Sequence, residues 1–439
     1  MRPQIPPTPV VPAWVRPPQW LAMPSLSTEG FIGLIAITND DSNYVALMCQ
    51  GAYSVDWGDG TGPHNFANAA VAQNQYNFST FDPSNLTLTN QGYKQALITV
   101  TPQSANTLII VNLQQKHTAL SPSAAYCVPW LDLAMYLPNC VSNASVVVGG
   151  STVTLSMLQR VNFLALGAVT TLSLYGCASL QSFSMAPITS LTSCNNMFYG
   201  CYALRSVPLF DTSSVTNFSS MFLNCYSITT VPLFNTSLGQ NFTNMFYGCY
   251  SLKSVPLFDT GAATTLNGMF YFCYNLQTVP LFNTALVQVF TGMFYQCNSL
   301  QSVPMFNMIS AQTLTSMFYA CYSLQSVPAF NTVNVTGFSG MFNNCISLRY
   351  VPALNTAAGT VFTNIFNSCY SLVSAPLAGT KYSISYANCK MSEADLVAVF
   401  NALGTCSGQT ITVTGTYGDA ALTAADKKIA TDKGWTIAA

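Results

Sequence analysis

A 24-residue period runs through the second half of this sequence and constrains its fold more than any other feature. Proline recurs at Pro208, Pro232, Pro256, Pro280, Pro304, Pro328, Pro352 and Pro376. Cysteine keeps the same interval at Cys177, Cys201, Cys225, Cys249, Cys273, Cys297, Cys321, Cys345 and Cys369. A Met-Phe pair returns with them, from Met197-Phe198 to Met341-Phe342, and Ile365-Phe366 is its last variant. The unit reads M-F-x-x-C-Y-S-L-x-S-V-P-L-F-N-T, then some freer residues among which Phe218, Phe242, Leu266, Phe290, Leu314, Phe338 and Phe362 mark one more apolar column. One such unit cannot hide its own apolar side chains, so each coil must bury them against its neighbours, and a stack is obligatory.

Within a coil, S-L-x-S-V-P-L-F is the expected strand, its proline nitrogen turned away from the ladder. Asp211, Asn235, Asp259, Asn283, Asn307, Asn331 and Asn355 then turn the chain, since a short polar side chain can bond its own backbone two residues on. The Met-Phe-x-x-Cys arc is expected to form the opposite, irregular or short helical wall. Coils rising by about 4.8 Å would make a rod on the order of 40 Å long. The fold class expected is mainly β: a leucine-rich-repeat-like solenoid with 24-residue coils, preceded by a small β-sandwich and closed by a small α/β cap.

The unit "MFYGCYSLKSVPLFDT" (Met245 to Thr260) closely resembles the BspA-like surface leucine-rich repeat of bacterial surface proteins and of bacteriophage tail and other virion proteins. The resemblance spans residues 177–389. The chain departs from the family in carrying Val-Pro-Leu-Phe where many members have a more acidic strand, so no ligand is carried over.

Residues 1–24 are proline-rich and expected to be an extended arm. From Phe31 to Thr101 the alternating runs "YVALMC", "AYSVDW" and "ALITVTP", set off by Gly, Asn and Pro, indicate a sandwich over residues 25–105. The block "YSVDWGDGT" (Tyr53 to Thr61), with "QYNF" and "GYKQALITVTP" after it, resembles the PKD type of immunoglobulin-like domain. Asp59-Gly60 supplies the tight turn and Trp57 the cover of the core. Residues 106–176 read as irregular entry coils and residues 177–389 as the repeats proper. In the segment 390–439, Ser392 is a candidate N-cap for "EADLVAVFNAL", with Leu396, Val399, Phe400 and Leu403 on one face and Gly404 at its end. A strand "TITVT", a second helix from Thr423 to Lys433 and Trp435 complete a cap of the kind an open stack needs. This ending, with its Lys-Gly-Trp-Thr tail, is similar to that of phage proteins bearing the repeat.

Charge narrows the function. Only 6% of the residues are Asp, Glu, Lys or Arg and the net charge is −1, without a basic run that could follow a phosphate backbone, so nucleic acid is not an expected partner. No run approaches the roughly 18 apolar residues of a membrane span. The N-terminus is broken by prolines and lacks the apolar segment of a secretory signal, which points to synthesis and retention in the cytoplasm. The fifteen cysteines are an odd number in a long chain and read as reduced thiols. Cys201, Cys225, Cys249, Cys273, Cys297, Cys321, Cys345 and Cys369 are expected to be a structural free-thiol ladder, because the column lacks the Cys-x-x-Cys pairs or nearby His that metal sites use.

No metal, cofactor or catalytic residue is expected. Asp56 and Asp59 do not match a calcium-loop spacing, and two histidines with scattered acids make no triad or carboxylate pair. Two tyrosine columns stand out: Tyr199, Tyr247, Tyr271, Tyr295 and Tyr319, and beside the cysteines Tyr202, Tyr226, Tyr250, Tyr274, Tyr322 and Tyr370. Each offers a rigid apolar face with a polar tip, suited to sugar stacking or a protein interface, or simply to packing one ring on the next along the rod. Arg205, Lys253, Gln277, Gln301, Gln325 and Arg349 form a third column that could hydrogen-bond glycans or a partner subunit.

Together these features lead to the expectation of a non-enzymatic structural or adhesion protein of a bacteriophage virion, in a tail fibre, appendage or capsid decoration. It would be made in the host cytoplasm and exposed on the particle. Its expected partners are other virion proteins, through the N-terminal arm and sandwich, a host surface glycan or protein, and further copies of itself. The alternative is a bacterial cell-surface leucine-rich-repeat adhesin.

Overall fold

The structure, a computed structural model, describes residues 14–39, 43–103, 108–120, 126–127, 129–140, 144–150 and 153–439. Its N-terminal part is a β-sandwich built from β1 (Gly30–Ile37), β2 (Tyr44–Gln50), β3 (Tyr53–Asp56), β4 (Pro63–Phe66), β5 (Val71–Gln75) and β6 (Lys94–Pro102). One sheet runs β1-β6-β3-β4, all antiparallel; β2 and β5 belong to the facing sheet. Apolar residues of β2, β3 and β6 alternate inward, as period-2 strands with one covered face do. Trp57 lies in the core, and the Tyr76 hydroxyl donates to its carbonyl at 2.7 Å. The carboxylates of Asp56 and Asp59 are spent on the turn: Asp56 accepts from the Gly58 amide at 2.9 Å and Asp59 from the Thr61 amide and hydroxyl at 3.0 and 2.7 Å.

The sandwich is not separate from the stack. Into the same two sheets enter β7 (Ile110–Asn112), β9 (Trp130–Leu137), β10 (Ala144–Gly149), β12 (Arg160–Leu166), β13 (Val169–Leu174) and β14 (Ser182–Met185), while β8 (Tyr126–Cys127) and β11 (Val153–Thr154) pair on their own. The handover is a change of strand direction. β9 is antiparallel to β1 and parallel to β12, and β7 is antiparallel to β2 and parallel to β10. A hairpin sheet thereby closes the edge that the first parallel coil would otherwise expose.

Strand β1, GFIGLIAI, is apolar throughout and buried on both faces. The second face is covered by residues 14–24. Sequence composition makes this segment a free extended arm, but it folds back on the sheet, with Trp20 packed among Leu34, Ala36, Tyr93 and Leu131. The Trp20 indole donates to the Tyr93 hydroxyl at 2.8 Å, and Arg16 binds the fully buried Asp132 at 2.9 Å as well as the Leu21 carbonyl at 2.6 Å. Arg160 reaches the other Asp132 oxygen at 2.7 Å. Two tryptophans and an arginine between prolines were the available signal; a proline tether has no use for them. The first thirteen residues of the expected arm lie outside the described residues. Replacing Asp132 by Ala strands two guanidinium groups beside a buried site, and a stability loss of about 3 kcal/mol is expected. Thermal melting reads the loss and a red shift of Trp20 fluorescence reads the strap's release.

From Ser193 onward each coil bridges the next in parallel at a 24-residue offset: Ser193 to Asn217, Asn217 to Asn241, and so on to Val361. The ladder continues through the Met-Phe arc, where Asn196, Phe198 and Gly200 donate to Ser219, Met221 and Leu223 at 3.1, 2.9 and 2.8 Å. This corrects the expected strand. The continuous ladder lies on the Met-Phe side, and Val-Pro-Leu-Phe is mostly irregular. Proline has no amide proton to give, and the Phe amide two residues on turns back to the proline carbonyl, as in Phe234 to Pro232 at 3.0 Å and Phe258 to Pro256 at 3.0 Å. Only in the last coils does that side form short strands, β15 (Leu354–Asn355) with β16 (Leu377–Ala378).

The arc bends sharply because two of its residues, four apart, take positive φ in every coil. Asn, Ser or Gly fills most of these positions, but Phe272, Gln296 and Ala320 sit there too, at φ 61, 55 and 54. A left-handed conformation costs an L-residue about 1 kcal/mol, which glycine avoids. Ala320→Gly is therefore expected to stabilise the protein by about 0.5–1 kcal/mol in chemical denaturation, opposite in sign to the usual glycine substitution.

At the far end, β17 (Ile384–Ser385), β18 (Gln409–Thr412) and β19 (Trp435–Ala438) form a parallel sheet, with α1 (Glu393–Ala402) and α2 (Ala424–Thr431) beside it. Ser392 and Thr423 cap the helices through reciprocal bonds with Asp395 and Asp426. Leu396, Val399 and Phe400 are buried, and the Trp435 indole donates to the Gly404 carbonyl at 2.8 Å. One continuous apolar core runs from Phe31 in the sandwich to Trp435 in the cap, beside the smaller cluster around Trp20.

Candidate binding face

The interior rows fix where every surface row must fall. Phe198, Phe222, Phe246, Phe270, Phe294, Phe318, Phe342 and Phe366 lie one on the next with centroids 5.4–5.8 Å apart. The cysteine column is inside, as its small apolar character demands, and it does more than fill space. From Cys225 to Cys369 each thiol of the column donates to the Phe carbonyl one coil back, as Cys225 to Phe198 at 3.1 Å, Cys249 to Phe222 at 3.2 Å and Cys345 to Phe318 at 2.9 Å, while Cys201 donates to the Leu174 carbonyl at 3.2 Å. Each of these carbonyls also accepts from the Cys amide three residues on, as Phe198 does from Cys201 at 3.1 Å, so the thiol occupies its second lone pair. Burial pushes these thiols upward from the ordinary value of 9, and does the same to Cys194 and Cys389 outside the column, which it raises to about 12. Among the described residues no group of His, Cys, Asp and Glu is arranged to hold a metal ion.

A threonine row works in the same way on the opposite wall. Thr212, Thr236, Thr260 and Thr284 are buried and donate to the carbonyls of Asn235, Asp259, Asn283 and Asn307 at 2.7–2.8 Å. The preceding Asn or Asp makes the turn expected of it: Asp211 accepts from the Ser213 amide at 2.8 Å and Asp259 from that of Gly261 at 2.9 Å.

The sequence-predicted tyrosines do form columns, and both are half in and half out. Tyr271 stacks on Tyr247 at 4.8 Å and on Tyr295 at 4.1 Å, Tyr295 on Tyr319 at 4.3 Å, and Tyr199 on Tyr175 at 4.3 Å. In the second column Tyr202, Tyr226, Tyr250 and Tyr274 follow at 4.6–4.9 Å, and Tyr322 and Tyr370, more than two-fifths exposed, continue it beyond Asn298 and Ile346. Burial first, then the neighbouring phenols, raises the pKa of Tyr226, Tyr247, Tyr271 and Tyr274, so these hydroxyls remain neutral donors. Lys253, Gln277, Gln301, Gln325 and Arg349 are exposed three residues further along each coil, and Arg205 in the same column is half-buried. The Arg349 guanidinium lies 5.7 Å from the Tyr350 ring centre. Packing and display are thus both true of the tyrosines: their faces stack on each other and their edges form the surface.

Two surface features escaped sequence reasoning. The Leu of Val-Pro-Leu-Phe points outward: Leu209, Leu233, Leu257, Leu281 and Met305 are 54–64% exposed. Its drift to Ala329 and Ala353 was the available signal. The other is an opening between the last full coil and the cap, lined by residues from Thr360 to Asn364, Tyr382 to Ser385 and Gln409 to Thr412. It arises from three separated segments, which no local pattern reveals.

The repeats match two family models. Residues 176–278 and 241–356 match the family described as "Mycoplasma protein of unknown function, DUF285", and residues 314–404 match the "BspA type Leucine rich repeat region". No curated protein matches the chain. Solved structures similar to it include a leucine-rich repeat protein from Eubacterium ventriosum, at 13% identity over 59% of this chain and 87% of that one, with a TM-score of 0.31. A leucine rich cell surface protein from Faecalibacterium prausnitzii aligns at 16% identity over 60% of this chain and 88% of that one, with a TM-score of 0.32. The stack of 24-residue coils is a leucine-rich-repeat solenoid, BspA-like in its repeat.

Proposed function

We propose that this chain is a non-enzymatic binding or adhesion protein that presents its repeat face outward. One observation carries the reading: stacked tyrosine edges and an Arg/Lys/Gln row recur side by side at the coil spacing, on a surface almost without acidic groups. Such a face offers many weak, identical contacts with aromatic rings, amides and hydroxyls, and a partner that repeats on a similar scale gains from engaging several at once. A host surface glycan or a surface protein fits this chemistry. The carrier we propose is a bacteriophage particle, with the sandwich turned toward other virion proteins and copies of the chain assembled together; the Lys-Gly-Trp-Thr ending supports it. The BspA-type repeat equally supports display on a bacterial cell surface. No helix among the described residues is long and apolar enough to cross a membrane.

The test is adhesion of protein-coated beads to host cells and to immobilised host polysaccharide. Wild-type protein is expected to bind, and a Tyr202→Ala, Tyr226→Ala, Tyr250→Ala variant to lose at least tenfold in bead retention. Equal retention by both would contradict the assignment of the face, and shortened polysaccharide chains after incubation would contradict a binding-only role. Detection of the chain by mass spectrometry in purified particles, or instead in washed cell envelopes, decides the carrier.

A further inference from the structure

The hydrogen-bond ladder that joins every coil to the next opens at one place. In the last regular step Phe338, Gly340 and Phe342 donate to Val361, Thr363 and Ile365 at 2.9, 2.8 and 3.0 Å. One coil further on, the amides of Phe362 and Asn364 find no carbonyl acceptor among the described residues. Beyond the gap the ladder resumes within the cap, where Tyr386 and Asn388 donate to Thr412 and Thr414 at 2.8 and 3.0 Å. The spacing explains the break: the step from Cys369, the last cysteine of the column, to Cys389 is shorter than the period. On the core side the seam remains shut, with the Phe366 and Tyr386 rings 5.1 Å apart. On the outside it splays into a cavity of about 420 Å3.

The chemistry of its walls is specific. No lining residue carries a formal charge, and most carry a neutral hydroxyl or amide: Thr363, Tyr382, Ser383, Gln409, Thr410 and Thr412 among them. Gln409 is held in place, its Oε1 accepting from the Ser383 amide and hydroxyl at 2.9 Å each, which leaves its amide hydrogens as fixed donors. Tyr382, 44% exposed, offers a ring face at the rim. The size lies within the range of small-ligand sites. An aromatic platform, preset donors and acceptors, and no charge are what a pyranose ring with many hydroxyls and apolar C–H faces requires.

We infer that the seam between the last coil and the cap is a binding pocket for a neutral saccharide unit. Tyr382 stacks on the sugar ring, and Gln409, the hydroxyl groups and the free amides of Phe362 and Asn364 bond its hydroxyls. The inference deepens the adhesion reading above and rests on it: the pocket reads one terminal or branch sugar, and the tyrosine array supplies the breadth of contact.

Saturation-transfer NMR and titration calorimetry of the full chain with maltose, cellobiose, lactose and diacetylchitobiose test it. At least one disaccharide is expected to saturate, with Tyr382→Ala weakening it tenfold or more, Thr363→Ala on the opposite wall weakening it severalfold, and Leu257→Ser, exposed and outside the lining, leaving it unchanged. Tyr382 and Thr363 are exposed, so unaltered melting temperatures keep both variants interpretable. Binding that survives Tyr382→Ala and Thr363→Ala but falls with Tyr202→Ala would overturn the pocket and leave the array standing. No response to any disaccharide would overturn the pocket, and its failure is distinct from that of the array, which the bead assay reads. Saturable binding of an extended peptide such as tetra-alanine at these residues, without sugar binding, would assign the seam to strand pairing and also overturn it.

Discussion

Raising the pH under reducing conditions is expected to unfold the solenoid cooperatively near pH 10. The nine thiols of the 24-residue column, Cys177 to Cys369, are all buried, and burial raises every one above its ordinary value of 9. A thiol is neutral when protonated, so the raised value means that the folded chain keeps a proton the unfolded chain releases. Below about pH 9 both states hold it and the column contributes its full stability. As the pH rises above 9, ionisation favours the unfolded chain, and the contribution is lost progressively toward the folded value. Each group costs about 1.4 kcal/mol per pH unit in that window, and nine titrating together cost about 12 kcal/mol per unit. That is comparable to the entire stability of an ordinary domain. Tyr386, fully buried, shifts the same way. Circular dichroism against pH reads the transition, and the triple variant Cys225→Ser, Cys249→Ser, Cys273→Ser should move its midpoint upward. A structure retained unchanged at pH 12 would mean that the thiols are not enclosed.

Phe246→Ala in the middle of the stack is expected to cost about 3–5 kcal/mol, the usual penalty for emptying a buried aromatic site. The ring is fully buried between Phe222 at 5.5 Å and Phe270 at 5.7 Å, with Phe258 at 6.2 Å, so its loss loosens two coil interfaces at once. Because each coil touches only its neighbours, the damage is local in a nearest-neighbour sense, and the denaturation curve should broaden as well as shift. Leu257→Ser on the outer face of the same coil is the control. Leu257 is 58% exposed, and its replacement should stay within about 0.5 kcal/mol in urea titration.

The sequence made the period, the direction of each buried column, the Asn turns and the Ser392 cap legible, because these depend on residues close together or on strict recurrence. The ladder's position was not, since the fate of the Phe234 and Phe258 amides is decided by the turn after proline and not by apolar content. Nor was the strap: Trp20 finds Leu34, Tyr93 and Leu131 across long separations, and composition alone makes residues 14–24 a tether. The tyrosine rows were legible as candidates because they share the period. The seam pocket was not, as it lies where the period fails and where Thr363, Tyr382 and Gln409 come from different segments. In physical terms, what repeats can be read in one dimension, and what interrupts the repeat needs the third.

The most direct measurement is the melting behaviour of two deletions within the repeat. Removing residues 250–273 takes out one complete coil and rejoins Cys249 to Tyr274 with every column in register. Stacking of equivalent 24-residue coils predicts a folded, cooperatively melting protein shortened by about 5 Å. Removing residues 250–261 shifts every later coil by half a turn, places polar residues in the interior rows, and is predicted to abolish cooperative melting. Equal tolerance of both deletions, or equal collapse, would contradict the stack.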